Sequence, residues 1–223
     1  MERITAEETT KNHQLDRINI FKLIILVFHI VGIVGMSIPS IRPYFQLLTP
    51  FHLLLCTGLL LVFHKGWNVN FLIFSLLAFG IGFGAEVIGV HTQLLFGGYS
   101  YGSVLGVKVF EVPLMIGVNW FLLVYLSAEI FEGRIRNWLV AAILGALVMV
   151  IMDFLIEPVA VSLDFWAWEG GQIPLSNYTS WFIVALVIQL IYGKLEFRKK
   201  NPLALFLLLN LIVFFGILNV VLS

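Results

Sequence analysis

Seven stretches of this chain, roughly 20–40, 47–64, 70–91, 109–130, 136–157, 178–195 and 203–222, run apolar for eighteen to twenty-two residues each, with charge, Pro or Gly at their borders. About 20 apolar residues in a helix cross the roughly 30 Å hydrocarbon core of a bilayer. A backbone in lipid must satisfy its own hydrogen bonds, so such runs are read as helices. The expected fold is all-α: a polytopic integral membrane bundle of about seven transmembrane helices, residues 20–223, behind a polar cytoplasmic tail, 1–19. Composition agrees. Hydrophobic residues make up 60% and charged residues 12%, with mean hydropathy +1.00, against about 25% charged in an ordinary soluble domain. A soluble enzyme is excluded.

Lys and Arg sort by loop. With the N-terminus inside, the inner segments hold Arg3, Lys11, Arg17, Lys22, Lys65, Arg134, Arg136, Lys194, Arg198, Lys199 and Lys200, and the outer ones only Arg42 and Lys108. Cytoplasmic loops collect positive charge, so the N-terminus is expected inside and the C-terminus outside. Met1 to Arg17 is polar and mixed in charge, unlike a cleaved signal peptide, so the first span is expected to act as its own insertion signal. Net charge is zero and no Lys/Arg cluster forms a phosphate-binding stripe, which excludes nucleic acid as a partner. Cys56, in an apolar run, reads as a small buried hydrophobe.

Acids within the spans carry the argument, because an intramembrane carboxyl costs at least a few kcal/mol and usually faces a protein interior. Glu86 lies late in the third span, Glu111 early in the fourth, and Asp153 and Glu157 late in the fifth. The antiparallel zigzag puts all four in the outer half. Asp153 and Glu157 are spaced i, i+4, which sets both on one helical face, about 5–6 Å apart at Cβ. A shared low-dielectric site is expected to leave at least one protonated near neutral pH, and Pro158 is expected to end the helix there. The competing reading is structural: such acids also hydrogen-bond backbone or each other to fix helix packing.

The outer segments 92–108 and 158–177 add Phe96, Tyr99, Tyr101, Trp166 and Trp168, with Tyr178 and Trp181 just after. Aromatic faces stabilise cations and pack along polyenes; aromatics at an interface also form plain anchoring belts. Gly80-Ile-Gly-Phe-Gly84 imitates a nucleotide-binding pattern, but inside a span it reads as close helix packing. His29 and His52 read as isolated and packed within their spans, whereas His91 lies close enough in sequence to tune Glu86. No HExxH, CxxC or three-His spacing is present, so no metal is expected. Asp153-x-x-x-Glu157 is half of a Mg-diphosphate motif without its second half or a basic clamp. A retinal protein is excluded because the last span has no lysine for a Schiff base.

These motifs occur in order: Glu86-Val-Ile-Gly-Val-His-Thr, Phe96-Gly-Gly-Tyr-Ser-Tyr101, Leu105-Gly106, Val112-Pro113, Asn119-Trp120, Asp153-Phe-Leu-Ile-Glu-Pro158, Asp164-Phe-Trp-Ala-Trp168, Ile173-Pro174 and Asn177 to Trp181. The series resembles the membrane-integral carotenoid 1,2-hydratase family, the type that hydrates γ-carotene or bisanhydrobacterioruberin end groups. It spans the third through sixth spans; one departure is His91-Thr92-Gln93, where Thr followed by Gly is expected. The resemblance implies addition of water to the terminal C1=C2 bond of an acyclic ψ-end carotenoid, giving a tertiary alcohol. It also implies a plasma-membrane location, with other carotenoid-pathway enzymes as candidate partners. Hydration is redox neutral, so no cofactor is expected.

The residues suit that chemistry: an acid, a cation-tolerant pocket and a metered water. Asp153 or Glu157 is the candidate acid, with the partner carboxylate or Glu86 as base. Phe96, Tyr99, Tyr101, Glu111, Asn119, Trp120, Trp166, Trp168, Asn177 and Trp181 are the candidate substrate-binding residues. Two alternatives stay open: a membrane lycopene-type cyclase, which starts with the same protonation, and a small proton-coupled transporter or channel, in which the acids relay protons.

Overall fold

The computed structural model describes residues 6–223, with side chains described from Leu15 onward. Seven helices follow one another: α1 (Ala6–Ser37), α2 (Arg42–Val62), α3 (Val69–Thr92), α4 (Leu114–Glu129), α5 (Trp138–Ser162), α6 (Leu175–Lys194) and α7 (Ala204–Leu222). Short strands interrupt the connections: β1 (Tyr99–Tyr101), β2 (Lys108–Val109), β3 (Val112–Pro113) and β4 (Trp166–Trp168). The polytopic bundle is as expected. Residues 1–5 of the expected tail, Arg3 among them, lie outside the described residues, and from Ala6 the tail is helical and continuous with the first span.

Six of the helices are long and apolar enough to cross a membrane; α4 is not. Its expected start at 109 fails because Val109 pairs with Val112 in the β2–β3 hairpin, and Pro113 caps the helix that follows. The 16 residues that remain rise about 24 Å. α4 tolerates this because it lies against α2, α3, α5, α6 and α7 and buries every residue from Trp120 to Ala128. The zigzag is preserved nonetheless. β1 and β4 pair at the ends of α3 and α5, whereas Asn68 reaches the Glu196 carbonyl at the opposite end, joining the α2–α3 and α6–α7 turns. Near that opposite end a polar clamp also ties α6 to α4, with Gln189 Nε2 donating to Ser127 Oγ at 2.8 Å.

Pro158 does not end the fifth helix. A proline removes one amide donor, and the following turn is still closed, Leu163 N donating to Val159 O and Phe165 N to Ala160 O, both at 2.9 Å. α5 therefore runs to Ser162 and carries Glu157 a full turn inside its end.

The periphery is apolar. Leu23, Leu76, Phe154 and Val220 are each more than half exposed, a surface suited to acyl chains and not to water. Inside, glycine sets one close approach. Gly80 and Gly84 face open space, whereas a Cβ on Gly82 would lie 2.2 Å from Cγ of Trp120. The glycine run is thus a packing seam at its middle residue only. Gly82→Val is expected to part α3 from α4 and to cost about 1–3 kcal/mol, the usual penalty of overpacking, read as a lower melting temperature in detergent.

Candidate active site

β1 and β4 form an antiparallel ribbon with Tyr99 opposite Trp168, Ser100 opposite Ala167 and Tyr101 opposite Trp166. Side chains alternate along a strand, so Ser100 and Ala167 are exposed while the four aromatics turn into the bundle. The approach is tight enough that a Cβ on Gly102 would lie 2.1 Å from the Asp164 carbonyl oxygen, and Gly102 N donates to Phe165 O at 2.9 Å. Glycine is required there.

Each aromatic ends in a donor, and the donors are shared between two acids. Tyr99 and Tyr101 hydroxyls donate to Glu86 Oε2 at 2.6 and 2.8 Å, and Trp120 Nε1 donates to Glu86 Oε1 at 3.1 Å. Trp166 and Trp168 Nε1 donate to Glu157 Oε2 at 3.0 and 2.7 Å. Asn177 Nδ2 lies 2.7 Å from Asp153 Oδ2 and 3.3 Å from Glu157 Oε1. Burial, then the nearby Glu86 carboxylate, pushes the ionisation of both tyrosines upward. Both hydroxyls therefore keep their protons and act as donors.

All three acids are buried, Glu86 at 4% exposure, Asp153 at 0% and Glu157 at 2%. Among the described residues the one ion pair is His91 with Glu111 at 3.7 Å, both exposed. The acids are thus held by neutral donors. Glu86 and Glu157 line a cavity of about 20 Å³ together with Tyr99, Tyr101, Asn119, Trp166, Trp168, Asn177 and Trp181. That is room for about one water. Trp181 stacks on Trp120 with centroids 4.1 Å apart, so the indole that holds Glu86 is itself fixed by the cavity wall.

A second cavity of about 470 Å³ adjoins the first and shares Ile116, Asn119, Ile156 and Trp166 with it. Its walls come from α1, α2, α4, α5 and α7 and are overwhelmingly apolar.

Several expected roles change. Asp153 does not line the small cavity; it sits behind Glu157, linked through Asn177. Its Oδ1 has no hydrogen-bond partner. Glu111 lies outside the site, its side chain 75% exposed and its backbone in the left-handed region. His91 does not touch Glu86: its Nδ1 meets the Val87 carbonyl, and its Nε2 faces Glu111. Phe96 is buried behind Tyr99, against Gly89, and lines neither cavity. Tyr178 packs on Phe154 and lines neither cavity. His29 and His52 are not isolated: their rings meet edge-on at 4.8 Å. With Cys56 they bring three ligand atoms within 4.8 Å of one another, a set that could take a soft metal ion.

The ribbon's role as a donor frame has its sequence signal in Tyr-x-Tyr and Trp-x-Trp, a period of two that puts each pair on one strand face. An assembly of this kind can hold a proton, an acceptor for a proton, one water and an apolar chain in contact.

The chain is 28% identical over 163 residues to the bisanhydrobacterioruberin hydratase of Haloarcula japonica, covering 69% of this chain and 54% of that protein. The chain thus spans about half the length of this curated relative. No solved structure matches. Residues 24–223, containing every acid and aromatic of the site, match the family described as carotenoid biosynthesis protein, and the chain belongs to that family.

Proposed function

We propose that the protein adds water to the terminal C1=C2 double bond of an acyclic ψ-end carotenoid. The observation that carries this reading is the pair Glu86 and Glu157 on one cavity the size of a water, walled by indole and phenol rings. The relative's name, a hydratase, supports it.

Glu157 is the acid. Both indoles bond its Oε2, and Oε1 has only the longer arm of Asn177, which leaves Oε1 free to carry the proton. The O–H bond breaks and a C–H bond forms at C2, leaving a tertiary cation at C1. The rings of Trp166 and Trp181 line the cavity where that charge forms, and aromatic rings stabilise cations. Water attacks C1, and its proton passes to Glu86, whose two oxygens are both occupied by donors and so present an acceptor of fixed geometry. Exchange through the next water returns the proton to Glu157. The charge count of the loops supports placing this end of the bundle on the outer side of the membrane.

Asp153 acts through Asn177 as a positioning residue. Asp153→Asn is therefore expected to slow hydration about tenfold, less than a general acid is worth, with the loss in kcat and not in KM.

The deciding experiment expresses the chain in a lycopene- or γ-carotene-producing bacterium and reads the pigments by chromatography and mass. A product heavier by one water is expected. A new ring without mass change would establish a cyclase instead. Unchanged pigment, with proton flux in liposomes containing the protein, would establish a transporter.

A further inference from the structure

The structure assigns the large apolar cavity as a blind, laterally loaded tunnel for a polyene chain. We infer that it admits one end of a carotenoid at a time, so that a substrate with two ψ ends is hydrated in two separate encounters. This rests on the hydration reading above.

Three observations carry it. Of the side chains around the 470 Å³ cavity only Thr49, His52, Cys56, Asn119 and Trp166 bear polar atoms, so the occupant is a hydrocarbon chain. Its exposed lining residues, Phe28 and Val31 on α1 and Leu48 and Phe51 on α2, lie on helices whose apolar windows suit a bilayer. The mouth therefore opens between α1 and α2 toward acyl chains, where a carotenoid is dissolved. The far end narrows: past Asn119 and Trp166, among the described residues, lies the 20 Å³ acid cavity, with room for about one water, so the end of the chain stops at its edge. A ψ end that reaches Glu157 has its chain trailing back through the mouth, and the second end stays in the bilayer. To react, that end must wait until the chain has left and re-entered reversed.

Two readouts on the wild-type protein in liposomes test this. Cys56 is the sole cysteine and lines the tunnel wall, so a lipid-soluble organomercurial is expected to label it, and lycopene in the bilayer to slow labelling at least tenfold. Labelling that ignores the carotenoid, or no labelling at all, would overturn the tunnel. With lycopene in large excess over protein, the singly hydrated product is expected to accumulate far beyond the protein concentration before the doubly hydrated one appears. Doubly hydrated product from the first turnovers would overturn one-end loading. Wild-type protein that hydrates nothing while Cys56 is still protected by carotenoid would instead remove the hydration reading and leave the tunnel standing.

Discussion

Glu157→Gln is expected to reduce hydration by about 10²–10⁴-fold, the usual worth of a positioned general acid, while the protein still folds. The side chain stays the same size. If the amide oxygen takes the place of Oε2, it still accepts from Trp166 and Trp168, and the amide nitrogen then faces Asn177 across the longest contact of the set, 3.3 Å. The melting temperature in detergent should therefore move little, and carotenoid should still protect Cys56. What disappears is the transferable proton. In D2O this variant should place no deuterium at C2 of recovered substrate; substantial deuterium there would assign the proton to another group.

Glu86→Gln is the second large effect, with a different signature. Glu86 has donors on both oxygens, two hydroxyls on one and an indole on the other. An amide nitrogen can face only the hydroxyl side, where both tyrosines must turn to accept from it. A loss of similar size in hydration is expected, with about 1–3 kcal/mol of stability as well, the cost of disturbed buried polar groups. Protonation by Glu157 remains, so the cation forms and reverts. Recovered alkene should carry deuterium at C2 although little alcohol is made. If deuterium is absent here too, Glu86 is not the base of this scheme.

Much of this site was legible because the informative residues were out of place. A carboxyl in a span, or a Trp-x-Trp between spans, differs from its surroundings, and the i, i+4 spacing fixed Asp153 and Glu157 to one side of α5. What spacing could not tell is depth along that side: Asp153 and Glu157 share a face, yet only Glu157 lines the small cavity. The ends of α4 and α5 depart from the hydropathy pattern for local reasons. Hydropathy extends an apolar run through the β2–β3 hairpin, and a proline breaks one hydrogen bond without breaking a helix whose next turn is closed. The large cavity was invisible for a deeper reason. Its walls on α1, α2 and α7 are mostly Phe, Leu and Val, and such residues read alike whether they face lipid, a neighbouring helix or a tunnel. The meeting of His29 with His52 and Cys56 was likewise a matter of two helices, not of spacing on one.

The register of the β1–β4 ribbon gives the site an all-or-none quality. Tyr99 and Tyr101 serve one acid, Trp166 and Trp168 the other, and a slip of one residue in either strand would turn that strand's pair outward. Slippage would present Ser100 or Ala167 in their place, residues unable to reach either carboxyl. Between the strand and α4, and again between Trp168 and α6, the chain can vary in length without touching this count of two. Within the three-residue strands it cannot vary at all. An inserted or deleted residue there would disarm an acid outright, and tuning by small steps is open only to the side chains themselves.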